Sequence, residues 1–227
     1  MFYREIAEIK ERPARKDMQM TRLYASVAGV AVAAMLGATA YVALKPSGDD
    51  VFAQCRAGSV AGGSGSIGGP FTLVSETGET VTDADVITRP SLLYFGYTFC
   101  PDVCPADNVR NAEAVDLLIE QGHKVQPVFI SVDPERDTPE VMAEFTEYMH
   151  EDMLGLTGSP EQVKAASTAY RTFYRKQPSD DEFYLVDHST FSYLVLPEHG
   201  FVEFFRREET PEAMAERIGC FVDAAGA

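Results

Sequence analysis

Tyr94-Phe95-Gly96-Tyr97-Thr98-Phe99-Cys100-Pro101-Asp102-Val103-Cys104-Pro105 is the stretch where an apolar run meets two cysteines separated by three residues. Leu92 to Phe99 is apolar and aromatic throughout and predicts a buried strand. Pro105 opens a segment with Val109, Ala112, Val115, Leu118 and Ile119 at helical spacing, closed by Gly122, which predicts a helix over 105–121. A strand therefore hands two thiols to the start of a helix. The unpaired N–H groups and the dipole there lower a thiol's pKa and favour the thiolate, which is both the nucleophile and the metal ligand.

Downstream, Val125–Val132 reads as a second buried strand and Leu154–Thr157 as a short one. Helices are expected from Pro139 to about His150, from Pro160 to about Tyr174 and from Pro211 to about Val222, each announced by a Ser or Thr cap before proline. Phe183–Val186, Ser192–Leu196 and Phe201–Phe205 read as further strands. Upstream, Phe71–Val74 and Thr80–Thr82 flank Glu76-Thr77-Gly78-Glu79 as a hairpin. Strands alternating with helices imply a mostly parallel sheet covered on both faces, with right-handed crossovers. With a cysteine pair at the first βα turn, the expected class is α/β: a thioredoxin-like domain over residues 67–227 with an N-terminal β-hairpin.

A single transmembrane helix is expected to precede this domain. Leu23–Leu44 carries no charge, and its 22 residues as a helix would reach roughly 33 Å, enough for a hydrocarbon core. Residues 1–22 hold six Lys/Arg against four acids, and Asp49 and Asp50 follow the apolar run. The positive-inside rule then makes 1–22 a cytoplasmic leader and 23–44 an uncleaved anchor. The run is too long for a signal-peptide core, and the acidic leader disfavours a mitochondrial presequence. Residues 45–66, glycine- and serine-rich from Gly58, read as a flexible tether. The expected location is a bacterial inner membrane, single-pass, with the soluble domain in the periplasm. Ala25, Gly29, Ala33 and Gly37 recur at every fourth position, as in helix-dimer motifs, although an alanine-rich run produces that spacing by chance; a weak homodimer stays open.

Net charge is −16 overall, divided as +2 over residues 1–22 and −18 over the remainder. A surface that acidic repels phosphate backbones, so no nucleic-acid partner is expected.

Outside the cytoplasm disulfides persist. Of the four cysteines, Cys100 and Cys104 form the reactive pair, leaving Cys55 and Cys220 as candidates for a structural disulfide. Free thiols or an intermolecular Cys55–Cys55 bond are the alternatives. The reactive pair admits two chemistries. A CxxxC pair can cycle between dithiol and disulfide, although the usual oxidoreductase spacing is CxxC. Two thiolates can also hold a soft metal with a third ligand, and thiolate with imidazole suits copper. Of the four histidines, His123, His150 and His199 sit at helix ends or in a turn. His188 follows a strand in Val186-Asp187-His188-Ser189-Thr190, at the sheet edge where α/β folds bind ligands. Asp187 would order the region as carboxylates behind metal ligands do. Asp133, Arg136 and Asp137 fall in the loop after the second strand, on the same edge, where they would order the site, contact a partner or simply cap and pair within the loop.

These blocks resemble the Sco/SenC family. The resemblance lies in Phe95–Pro105, in Ile130-Ser131-Val132-Asp133-Pro134-Glu135-Arg136-Asp137-Thr138-Pro139, in Val186–Thr190 with Tyr193-Leu194-Val195, and in Gly68-Gly69-Pro70-Phe71-Thr72-Leu73, all in order over roughly residues 67–222. It implies a thioredoxin-like domain binding one copper ion, Cu(I) or Cu(II), through Cys100, Cys104 and His188. It implies a metallochaperone, not an enzyme, that delivers copper to the dinuclear copper centre of cytochrome c oxidase subunit II. Its other partners would be further copper carriers. The alternative is a thiol–disulfide oxidoreductase that keeps that subunit's copper-ligating cysteines reduced. No proline lies between Pro178 and Pro197, where thioredoxin-like reductases carry a cis-proline facing their cysteines, which weighs against a generic reductase. Asp102 is too acidic a neighbour to lower a thiol's pKa, and would hold the turn or attract a cationic copper donor.

Overall fold

The computed structural model describes residues 13–44, 50–56, 67–179 and 183–226. The chain divides into two compact units, Met1–Asp50 and Val51–Ala227. In the first, α1 (Pro13–Leu44) is a single helix whose described side chains are exposed, Val30, Met35 and Tyr41 among them. Among the described residues no helix is long and apolar enough to cross a membrane. The expected leader falls partly, and the tether mostly, outside the described residues.

The second unit runs β1 (Thr72–Ser75), β2 (Thr80–Thr82), α2 (Asp83–Val86), β3 (Ser91–Gly96), α3 (Val103–Glu120), β4 (Gln126–Ser131), α4 (Pro139–Met149) and β5 (Leu154–Thr157). It continues through α5 (Pro160–Ala169), β6 (Tyr174–Lys176), β7 (Val186–His188), β8 (Ser192–Leu196), β9 (Gly200–Phe205) and α6 (Pro211–Ala225). Among the described residues, seven strands form one sheet in the order β2-β1-β5-β4-β3-β8-β9, and β6 and β7 form a separate pair.

The sheet is mixed, which corrects the mostly parallel one expected. Among the described residues only β3–β4 and β4–β5 pair in parallel. Those strands are joined through α3 and α4, and a helical crossover is what a parallel pair requires. The β1–β2 and β8–β9 pairs turn tightly and run antiparallel, adding hairpins to both sides of the parallel centre.

Alternation along the strands splits the core over two faces. Leu92, Leu194 and Leu196 pack with Val115 and Leu118 of α3 and Ile218 and Phe221 of α6. Leu93, Phe95 and Val195 pack with Met142 of α4 and Val163 and Ala166 of α5. β3 is buried along its whole length, as a central strand between helical layers must be.

The caps read from sequence form. Thr138, Ser159 and Thr210 each accept a backbone N–H at the start of α4, α5 and α6. Two boundaries move. α5 stops at Ala169, and Arg171 turns the chain with φ 52°, so that β6 occupies part of the expected helix. The strand expected over 183–186 begins at Val186 instead, because Phe183 is 76% exposed and adds nothing to a core. Val51–Arg56, inside the stretch read as tether, is packed on the domain: Phe52 and Cys55 are buried in the α3–α6 cluster and Arg56 donates to the Val202 carbonyl at 2.9 Å. Cys55 is joined to Cys220 of α6 in a disulfide, with Cα atoms 5.6 Å apart.

Candidate metal centre

β3 ends at Gly96, the chain turns through Tyr97–Asp102, and α3 begins at Val103, two residues earlier than the hydrophobic period suggested. That earlier start places Cys104 inside the first helical turn. Its N–H points at Cys100 Sγ at 3.3 Å, so the helix start hydrogen-bonds the first sulfur directly. Gly96 makes room for the second: a Cβ there would lie 2.9 Å from Cys104 Sγ. Both cysteines are buried and free.

His188 is the last residue of β7, paired with Tyr174 of β6, and not beyond the strand end. Its Nε2 lies 3.2 Å from Cys104 Sγ, and its Nδ1 lies 2.8 Å from the Ser189 carbonyl. A carbonyl only accepts, so Nδ1 carries hydrogen and Nε2 faces the sulfurs. The ring stands edge-on to Tyr94 and Tyr97, with centroids 6.2 and 5.7 Å away. The three candidate ligand atoms lie within 4.8 Å of one another, and among the described residues this is the group of His, Cys and carboxylate side chains able to hold a metal ion.

The electrostatics separate the two thiols. The Cys104 thiol hydrogen-bonds Cys100, and His188 with the backbone N–H groups of Cys104 and Asp102 adds to it; together these outweigh burial and draw Cys100 down to about 3. Cys104 is pushed up by burial first and by the adjacent Cys100 second. For His188, burial favours the neutral ring, but Cys100 and the Ser189 carbonyl outweigh it and raise its pKa. These shifts favour the thiolate at Cys100, the thiol at Cys104 and a protonated imidazole at His188. Metal binding would displace both protons, since thiolate and neutral imidazole are the ligating forms.

A cavity of about 320 Å³ opens onto this group, lined by Tyr97, Cys100, Asp102, Gln177, Asp187 and His188 among others. A larger one of about 480 Å³ lies beside Ile67–Pro70, Tyr170 and His199 and contains no cysteine. Donor chemistry, not volume, identifies the centre.

A family model described as SCO1/SenC matches residues 60–223. The chain belongs to the SCO1/SenC family. Protein SenC of Rhodobacter capsulatus is 57% identical over 200 residues, covering 88% of this chain and 90% of that protein. Copper-bound ScoI of Arabidopsis thaliana is 41% identical with a TM-score of 0.66, covering 69% of this chain and 99% of that one. Copper-bound ScoI of Bradyrhizobium japonicum is 38% identical with a TM-score of 0.62, covering 67% and 98%.

Within this Sco-type fold the remaining acidic and basic candidates take distinct places. Asp137 is fully buried and accepts from the Thr98 hydroxyl at 2.6 Å and the Ser131 hydroxyl at 2.6 Å, bracing the loop before Cys100. Asp133 accepts from Arg136 Nε at 2.6 Å and from the Tyr184 hydroxyl at 2.7 Å. Asp187 turns to Arg175 at 2.8 Å and Gln177 at 2.6 Å, holding β6 to β7 rather than touching His188. Asp102 is the N-cap residue of α3, makes no side-chain cap bond and lines the cavity. His150 pairs with Asp116, His199 packs on Phe52, and His123 lies half-buried 3.8 Å from Asp223. Sequence reasoning missed Tyr94 and Tyr97 as the walls around His188, and Tyr184 as the partner of Asp133 and Arg136. The signal was present: two of them stand in the cysteine motif and the third is four residues before the histidine.

Proposed function

We propose that this protein is a copper metallochaperone of cytochrome c oxidase assembly, holding one copper ion through Cys100, Cys104 and His188. The observation that carries the reading is the convergence of two buried sulfurs and one imidazole nitrogen within 4.8 Å. Soft thiolates and imidazole both suit copper, structural zinc takes four closed ligands, and three donors leave a position from which a receiving site can take the ion. Copper named in the structures of the Arabidopsis and Bradyrhizobium relatives supports the same choice. The proposed recipient is the dinuclear copper centre of oxidase subunit II, with other copper carriers as donors.

The proposed setting is a bacterial inner membrane, with Leu23–Leu44 as single-pass anchor and the domain in the periplasm. The uncharged 22-residue run supports it, and so does the Cys55–Cys220 disulfide, which persists in an oxidising compartment.

The low pKa of Cys100 beside a protonated Cys104 favours a second reading, thiol–disulfide exchange on the oxidase subunit. The Cys100 thiolate attacks a target disulfide and expels one target thiolate. Cys104, losing its proton, then attacks the mixed disulfide and expels the second. Cys100 and Cys104 end oxidised to a disulfide and the target ends as a dithiol. Metal analysis of the reduced full-length protein separates the two readings. The wild type is expected to bind one copper per chain, and His188→Ala to bind it far more weakly, through the two thiolates alone, while retaining dithiol exchange. Wild-type copper affinity in His188→Ala would remove the three-donor site.

A further inference from the structure

The ligands of the proposed site come from two separate segments: the loop Tyr97–Asp102 with α3, and the β6–β7 pair. Something must fix their spacing, because His188 sits on a short two-stranded ribbon outside the main sheet. We infer that Arg136 is the clamp that sets the distance between the cysteine loop and His188, an inference that rests on the three-donor copper reading above.

The guanidinium of Arg136 stacks on rings from both segments. Its central carbon lies 4.8 Å from the ring of Phe99, the residue before Cys100, and 5.6 Å from that of Tyr97. It lies 3.7 Å from the ring of Tyr184, four residues before His188. Asp133 locks both halves: its Oδ2 accepts from Arg136 Nε at 2.6 Å and its Oδ1 from the Tyr184 hydroxyl at 2.7 Å. Asp133 is itself buried and placed by its N–H on Ser131 Oγ at 2.9 Å, at the end of central strand β4. Two further ties cross the same gap. The Tyr97 hydroxyl accepts from Val186 N at 3.3 Å, and Lys176, 3.7 Å over the Tyr184 ring, donates to Glu135 at 2.6 Å.

The chemistry suits a positioning role. A planar, permanently charged guanidinium can stack on aromatic faces and hold a carboxylate through its edge at once, which an ammonium cannot. Neither Arg136 nor Tyr184 offers a ligand for copper. They act on the metal only by deciding where His188 stands relative to the two sulfurs. The expected result of loosening them is a selective loss of the imidazole donor, not of the thiolates.

The test uses the full-length protein in detergent, reduced, with Cu(I) titrated against a chromogenic chelator and the Cu(II) form read by EPR for nitrogen hyperfine structure. Arg136→Gln is expected to weaken copper binding about tenfold, as changes behind a metal ligand do, and to weaken the nitrogen hyperfine signal. In the His188→Ala background the same change is expected to produce no further loss, because the clamp then has no donor to place. Tyr184→Phe keeps the ring and removes only the hydroxyl, which donates to Asp133 and lies 3.3 Å from Glu135 Oε2, so it gives a smaller loss in the same direction and decides the question if Arg136→Gln does not fold. Wild-type affinity and hyperfine in both variants overturn the clamp, as does an equal loss with and without His188. If His188→Ala itself binds like wild type, the three-donor reading falls and takes the clamp with it. If His188→Ala is weakened and Arg136→Gln and Tyr184→Phe are not, only the clamp falls.

Discussion

The two cysteine pairs use the same atoms for opposite ends. Cys55 and Cys220 are 165 residues apart, sit in the apolar cluster between α3 and α6, and are closed as a disulfide among Phe52, Phe221 and Ile218. Cys100 and Cys104 are four residues apart and remain unbonded, surrounded by a helix start, an imidazole and two tyrosines. In the first pair the sulfurs are bonded to each other and do not titrate. In the second, the surrounding donors draw Cys100 toward the thiolate, while burial and the neighbouring sulfur hold Cys104 as the thiol. What a cysteine does here is decided by the donors around it, and the covalent pair holds the domain while the open pair does its chemistry.

The sharpest way to break that division is to exchange the damage. Cys104→Ser is expected to abolish stoichiometric copper binding outright while moving the guanidinium unfolding midpoint little, because a hydroxyl fills most of the thiol's space above Gly96. A Cys104→Ser protein that still binds one copper per chain would show that the open pair is not the metal site.

The open pair was legible in the sequence because its signals are local. An apolar run, two cysteines and a helical period fall within thirty residues, and the Thr-Pro and Ser-Pro caps mark their helices without help from the rest of the chain. The strand pair carrying His188 was less legible. β6 is three residues, Tyr174-Arg175-Lys176, mostly exposed and polar, and gives no period to read. The apolar Phe183 pulled the expected strand toward it, although its side chain points outward. Hydrophobic pattern locates what is buried, and the ribbon bearing His188 is held by ring stacking and ion pairs instead. For the same reason the mixed sheet was missed: the pattern distinguishes strands from helices, but not which neighbour a hairpin strand will join.

The next largest effect belongs to the covalent pair. Cys55→Ser opens a loop of 165 residues, and in the chain-entropy picture a bond closing so long a loop contributes on the order of 4–5 kcal/mol. The Tm is expected to fall by about 10 °C, with one copper per chain still bound. Unchanged Tm, or lost copper, would mean the two pairs are not separable as structure and chemistry. Thermal unfolding with and without reductant gives the check, since the wild type under strong reduction should approach the variant.

The smallest effect sharpens the comparison from the other side, because the loop bearing Cys100 is braced by hydrogen bonds where Cys55 is braced by a covalent bond. Asp137 receives the Thr98 and Ser131 hydroxyls, and its own carbonyl receives the Thr157 hydroxyl at 2.7 Å. Burial, the largest influence on it, raises its pKa above the ordinary 3.8 against the pull of those donors. The sign for stability follows. Between 3.8 and the raised folded value, the folded state binds the extra proton, so this group's contribution is greatest below the unfolded pKa and declines as pH rises through the folded pKa. Asp137→Asn removes that slope, because the amide does not titrate. It also leaves one of the two hydroxyls facing an NH₂ group instead of an acceptor, a loss of about 1–3 kcal/mol at neutral pH. Guanidinium midpoints collected from about pH 3 to pH 7 read both effects. The variant should be less stable at neutral pH, with its gap from wild type widening as pH falls through the window where Asp137 titrates. A variant as stable as wild type at neutral pH would mean the thiol loop stands without this brace, and that its order comes from the helix start and the aromatic walls alone.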